Sequence, residues 1–238
     1  MVLKSYTLFW LRMIRFSFTG DLRYYLWIGF LLSLICSGIL AYHHQFTHGL
    51  IVTNLSDQVS WGAYIANFTF LVGVAAAAVL LVVPAYVYHH QPTKDIVLLG
   101  EMLAVAAIIM CLLFVMADMG RPDRFIHLLP YLGRLNFPRS VLAWDVVVLN
   151  GYLLLNMHIS GYLLYMKYLG RKPNKLIYLP IVFLSIFWAV SIHTVTAFLY
   201  SGLGGRPFWN TAILAPRFLI SAFAGGPAIL TIAFRVIQ

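Results

Sequence analysis

The sequence predicts an all-α integral membrane protein with six transmembrane helices. Two observations carry this. Of the 238 residues, 62% are hydrophobic and only 10% are charged, and the mean hydropathy is +0.87. A water-soluble domain of this length has no interior large enough for so much apolar surface. The apolar residues also come in long unbroken runs without period-two alternation. Runs of about 20 residues cross a hydrocarbon layer of ~30 Å as helices, because a helix satisfies its own backbone groups where lipid offers no partner.

Residues 1–23 read as an interfacial segment, since Arg12 and Arg15 interrupt the aromatic stretch "LFWLRMIRFSF". The same arginines, with no small-residue cleavage site behind them, argue against a signal peptide. The six spans follow at about 24–43, 61–88, 97–117, 141–166, 176–201 and 214–236, so residues 24–238 form one transmembrane domain. Pro84, Gly100, Pro180 and "GGP" at 225–227 punctuate them. Cys36 and Cys111 fall within apolar runs, lack metal-ligand spacing and read as small packing residues.

A net charge of +9 invites a nucleic-acid reading, but the charges lie in short links between spans and no soluble basic domain exists to hold nucleic acid. Charge beside spans sets topology instead. Lys4, Arg12, Arg15, Arg23, Lys94, Lys167, Arg171, Lys172, Lys175 and Arg235 fall on the N-terminal side, ten of the 16 basic residues. Arg121, Arg124, Arg134, Arg139, Arg206 and Arg217 are the other six. The N-terminus is therefore expected in the cytoplasm, with the chain in the cell inner membrane. The loop "DMGRPDRFIHLLPYLGRLNFPRS" at 118–140 then faces outward, against the general trend. Either a few loop arginines snorkel to lipid phosphates, or all six outward arginines serve a docking partner or a site, with Arg121 and Arg124 expected to pair with Asp118 and Asp123.

Ionisable groups inside spans are costly and mark candidate functional positions. Here they are Glu101, Asp118, Asp145, His158 and His193. At a rise of ~1.5 Å per residue, Asp145 lies roughly 6 Å and His193 roughly 12 Å below the outer ends of their helices. Tyr64, Asn67, Asp118 and Tyr200 belong to the same outer third. Asp145, Tyr152 and Asn156 share one stripe of the fourth span, and His193, Thr196 and Tyr200 share one of the fifth. A lone intramembrane histidine is as often a plain interhelical hydrogen bond, so the weight rests on several stripes meeting at one depth. Glu101 lies near the inner end of the third span. It either snorkels to the inner surface or belongs, with Tyr152 and Asn156, to a candidate proton path.

Two chemistries suit such a chain. A membrane cytochrome b needs axial ligands at similar depth, yet His158 is roughly 25 Å below its helix end against roughly 12 Å for His193. No haem, iron–sulfur cluster or metal site of the chain's own is expected. A proton- or ion-translocating transporter would also use buried Asp, Glu and His, but the six spans show no clear inverted repeat.

Longer motifs separate the alternatives. "VSWGAYIANFTFLVGVAAAAVLLVVPAYVY", "DMGRPDRFIHLLP", "SVLAWDVVVLNGYLLLN", "SIHTVTAFLYSGL" and "RPFWNTAILAPRFLISAFAGGPAIL" resemble the NrfD/PsrC family of quinone-interacting membrane subunits. The "HTVTAFLY" and "ILAPRFL" wording points to the branch of the P subunit of the sulfite-reduction-associated DsrMKJOP complex. The resemblance implies a non-autonomous subunit that binds a quinone, menaquinone above all, near the outer face. It implies electron exchange with a ferredoxin-like iron–sulfur subunit on the periplasmic side, within a larger membrane redox complex of anaerobic respiration. Paired four-helix bundles are expected, spans two to five forming the first and span six opening the second. Asp145 and His193 would then handle quinone protons, and Tyr64, Asn67, Asp118, Trp144 and Tyr200 would surround the ring. Arg121, Arg124, Arg134, Arg139 and Arg206 would lie under the partner. Family relatives are longer, with further spans beyond this point, so the chain is expected to be a fragment.

Overall fold

The computed structural model describes residues 2–129 and 132–237, without the side chains of residues 2–4, 95 and 237. Among the described residues there are seven α-helices and no strand. They are α1 (Val2–Ser17), α2 (Leu22–His48), α3 (Ala63–Val82), α4 (Gln91–Asp118), α5 (Val141–Tyr168), α6 (Lys175–Ser201) and α7 (Leu214–Ile237). A π turn at Val83–Val87 extends α3, and 3₁₀ turns lie at Leu50–Thr53 and Pro122–Leu128. The six helices α2 to α7 are long and apolar enough to cross a membrane, which marks a multi-pass membrane protein.

Local chemistry sets several boundaries. Asp21 caps α2 by accepting the Tyr24 amide at 2.9 Å, and Asn174 caps α6 by accepting the Leu176 amide at 3.0 Å. α2 runs on to His48 because nothing stops it before Gly49, whose positive φ of 83° ends the helix. Pro84 has no amide hydrogen to give the regular ladder, and the wider π turn forms there.

The chain divides into two compact units. The first holds Met1–Ser60 and Leu164–Lys172. Here α1 buries Phe9 against the rings of Tyr165 and Tyr168, at centroid distances of 5.4 and 5.1 Å. Ser5 and the Tyr165 hydroxyl are hydrogen-bonded at 2.9 Å, and Arg12 donates to Tyr168. α2 leaves Leu26, Trp27, Phe30, Ile39 and Leu40 exposed, as a lipid-facing helix does.

The second unit holds Trp61–Leu163 and Pro173–Gln238, and α3 is its centre. Val72 to Val79 are all buried. α3 and α7 touch through small residues at helical spacing on both sides, Gly73 and Ala77 against Ala222 and Gly226. A Cβ added at Gly226 would lie 1.9 Å from the Ala77 Cβ, so glycine is what lets the backbones meet. α4 joins α3 where Cys111 Sγ donates to the Phe68 carbonyl at 3.6 Å. α5 joins α3 through the Tyr152 hydroxyl, which donates to the Ala75 carbonyl at 3.3 Å. α6 lays the Trp188 indole across Gly151 and donates to the Val148 carbonyl at 2.8 Å. α7 lies against α3 and α6 in the same unit.

Candidate functional site

α6 organises the polar interior of the second unit. Its His193, Thr196 and Tyr200 are all buried on one stripe. Thr196 Oγ1 donates to Asp145 Oδ1 at 3.1 Å, and both residues are fully buried. His193 Nδ1 meets the Ala189 carbonyl at 3.2 Å. A carbonyl only accepts, so the proton is assigned to Nδ1, which leaves Nε2 with a free lone pair in the neutral ring. The Tyr200 hydroxyl is 2.5 Å from Thr69 Oγ1, and Thr69 in turn donates to the Ile65 carbonyl at 2.9 Å.

A cavity of about 550 Å³ opens beside this stripe, between α3, α6, the 202–213 link and α7. His193, Tyr200, Thr69, Ser221 and Arg217 supply its polar wall. Gly73, Ala222, Gly225 and Gly226 line the side where α3 and α7 close together. Its aromatic wall comes from Trp209, Phe218 and Phe208. Tyr200 packs edge-on against Trp61, Trp209 and Phe218 at centroid distances of 4.8, 5.0 and 5.3 Å. The Arg217 guanidinium sits 4.9 Å over the Phe208 ring.

The expected residues fall into three places. His193 and Tyr200 line the cavity, with Asp145 one hydrogen bond behind them through Thr196. Tyr64, Asn67, Asp118 and Trp144 do not line it. Tyr64 faces Phe114 on α4, at 6.3 Å between centroids. The Asn67 amide turns back to the Ala63 carbonyl at 2.8 Å and is exposed. The Trp144 indole donates to the Pro138 carbonyl at 2.8 Å and packs at a tilt against Phe137, leaving the side chain 40% exposed. Asp118 ends α4 with one carboxyl oxygen buried and without a hydrogen-bond partner among the described residues. The third place is deeper, where Tyr152 and Asn156 lie buried on α5 and Glu101 on α4. Snorkelling is overturned for Glu101, which is 0% exposed. His158 lies exposed on α5, beside Tyr162.

Sequence reasoning missed Thr69, Trp209 and Phe218, and it counted Arg217 only as one of six outward arginines serving a partner or a site.

The arginine loop is largely open. Arg121 holds Asp123 by two hydrogen bonds of 3.0 Å, the one ion pair among the described residues. The guanidinium beside it keeps the Asp123 carboxyl below its ordinary range, and Asp123 raises Arg121 in return. Among the described residues Asp118 forms no ion pair, contrary to expectation, and its Oδ1 is buried. Arg124, Arg134 and Arg139 are exposed, whereas Arg206 is half-buried.

Comparison with known proteins fits this architecture. A family described as polysulphide reductase, NrfD, matches residues 51–238. A Halobacterium salinarum protein named for the membrane subunit of dimethyl sulfoxide reductase is 28% identical, over 87% of this chain and 50% of its own. An Hdr-like menaquinol oxidoreductase integral membrane subunit of Archaeoglobus fulgidus is 24% identical, over 89% of this chain and 50% of its own. A selenate reductase subunit of Mesobacillus selenatarsenatis is 24% identical, over 81% and 52%. The chain spans about half the length of these relatives. With the family match covering all of the second unit, the chain belongs to the NrfD family of membrane proteins.

Proposed function

We propose that this chain is the quinone-reactive membrane subunit of an oxidoreductase complex, and that menaquinone or menaquinol binds in the α3–α6–α7 cavity. The observation that carries the reading is the wall where His193 and Tyr200 face an apolar and aromatic space of about 550 Å³. Small-molecule sites of roughly 300–1,000 Å³ share this form, mostly apolar with a few converging polar groups. The ring head group fits against His193 and Tyr200, and the isoprenoid tail fits the glycine–alanine side. When bound, the quinone supplies two-electron, two-proton redox chemistry. His193 Nε2 takes or returns a proton at the head group, since a neutral imidazole changes charge readily. Asp145, held by Thr196, stabilises charge on that stripe. Tyr200, fixed by Thr69, orients the ring. The menaquinol oxidoreductase name of one relative supports the choice of quinone.

Electrons pass to or from a ferredoxin-like iron–sulfur subunit docked on the arginine loop, which lies at the same end of the unit as the cavity. The excess of basic residues on the N-terminal side supports a cytoplasmic N-terminus and a periplasmic loop in the inner membrane. The motif wording supports a place in sulfur or sulfite respiration, in the manner of the P subunit of the DsrMKJOP complex.

The test compares quinol-analogue turnover by wild-type, His193→Ala and Asp145→Asn complexes at equal partner occupancy. Loss of a positioned proton-transfer group costs on the order of 10²-fold, so His193→Ala should fall by about that factor while assembly survives. Normal turnover in both variants would make these residues structural hydrogen-bonders. An ion flux that persists without the partner and ignores quinone analogues would favour the transporter instead.

A further inference from the structure

Glu101 is the least explained group in the molecule. It lies roughly 25 Å along α4 from Asp118, in the half of the second unit away from the cavity. It is fully buried, and neither carboxyl oxygen has a hydrogen-bond partner among the described residues. An ionised carboxylate there would be an uncompensated charge in a low-dielectric interior, which selects the neutral acid. Gln or Leu would fill the space at lower cost, so an acid at this depth points to use of its proton.

A second observation comes from α3. The π turn at Val83–Val87 carries Tyr86 inward, where its ring meets Tyr178 edge-on at 5.6 Å. Isolated π turns recur at functional positions because they re-aim a side chain. The hydroxyls of Tyr86 and Tyr152 lie within electrostatic range of Glu101. Beyond Tyr86 the chain leaves the helix at the exposed His89–His90 link. Beyond Tyr152 the α5 stripe continues to Asp145, seven residues or roughly 10 Å away. Asn156 Nδ2 donates to the Tyr152 carbonyl at 2.8 Å, and Ser160 donates to the Asn156 carbonyl at 2.8 Å, so polar side chains line α5 through this depth.

We propose that Glu101 is a proton-carrying group that joins the His89–His90 face to the Asp145–Thr196–His193 cluster, by way of Tyr86 on one side and Tyr152 on the other, with water bridging the gaps. The proposal rests on the quinone reading for its purpose. Oxidation of one quinol frees two electrons, taken by the iron–sulfur partner, and two protons, which leave past Glu101 to the face opposite the arginine loop. In the reverse direction both electrons and protons are taken up by the same routes. Quinone chemistry at one face would then be tied to proton exchange at the other.

The test needs no quinone, so its failure is distinct from failure of the quinone site. Infrared spectra of the full chain in lipid nanodiscs are followed after transfer to D₂O. Wild type is expected to show a protonated-carboxyl band that shifts on deuteration and is absent from Glu101→Gln, a neutral substitute of the same shape. Glu101→Asp should keep a band at a displaced position. If protons arrive from the His89–His90 face, Tyr86→Phe should slow deuteration of this band on the order of 10²-fold, as expected for loss of a proton-transfer group, and Asp145→Asn should leave it unchanged. A band that never exchanges, or no Glu101 band at all, overturns the proposal. Exchange slowed by Asp145→Asn alone, or by neither variant, overturns the route through Tyr86.

Discussion

Thr196 shows how one hydroxyl organises the site. It gives Asp145 its hydrogen bond and stands one turn from both His193 and Tyr200 on α6. Thr196→Val keeps the shape and leaves a buried carboxyl unsatisfied, which costs about 1–3 kcal/mol. Thermal unfolding in detergent should show a lowered Tm for Thr196→Val and a near-normal one for Thr196→Ser. Equal Tm in all three would mean that Asp145 finds its donor elsewhere. In the loop, Arg121 holds the Asp123 carboxyl below its ordinary value of ~3.9. A depressed carboxylate pKa keeps the pair intact above that value and releases it only as pH falls through the lowered one. Partner docking should therefore be flat from about pH 5 to 8 and weaken only below about pH 4. A titration of partner binding that falls near neutral pH would assign docking to another group. The α6 stripe was legible from spacing alone, because helical periodicity puts His193, Thr196 and Tyr200 on one face whatever surrounds it. Trp144 and Asn67 were not. Depth along a span says nothing of azimuth, and one residue turns a side chain by about 100°. Trp144, next to the buried Asp145, thus points away from it.

Helix packing in the second unit depends on absent side chains as much as on present ones. Gly226 sits against Ala77, and Gly151 lies under the Trp188 indole. Gly226→Leu should push α7 off α3, widen the cavity and destabilise the chain by about 1–3 kcal/mol, the usual cost of overpacking. The readout is Tm together with loss of quinone-analogue affinity. Unchanged values for both would show that α7 is free to move without consequence. The six spans were readable from hydropathy because lipid leaves helices as the economical solution for long apolar runs. The role of "GGP" at 225–227 was not, since a glycine pair reads equally as an interruption or as a contact. Only the partner helix, with Gly73 and Ala77 at matching spacing, decides between them. The cavity itself was out of reach for the same reason, because it exists only where α7 meets α3 and α6.

At the scale of the molecule, the cavity and the arginine loop share one end of the second unit, and Glu101 lies in the other half. That division would separate the proposed electron exchange from the proposed proton route. Arg124, Arg134 and Arg139 are exposed beyond the Arg121–Asp123 pair, free to meet an acidic surface. Replacing all three by Gln should slow association and weaken its dependence on salt, since exposed charges act over a Debye length of about 8 Å at physiological ionic strength. Binding kinetics at two ionic strengths check this, and an unchanged salt slope would place the partner elsewhere. The α3–α6–α7 cavity is where the head group of the quinone is proposed to lie. The most direct measurement is photo-crosslinking of the assembled complex with an azidoquinone carrying the reactive group on its ring, followed by peptide mapping. Label is expected on the segments of α6 and α7 that line the cavity, around His193, Tyr200 and Phe218, and should be lost when excess menaquinone competes. Competable label on Trp144, Asn67 or Tyr64 instead would contradict this placement.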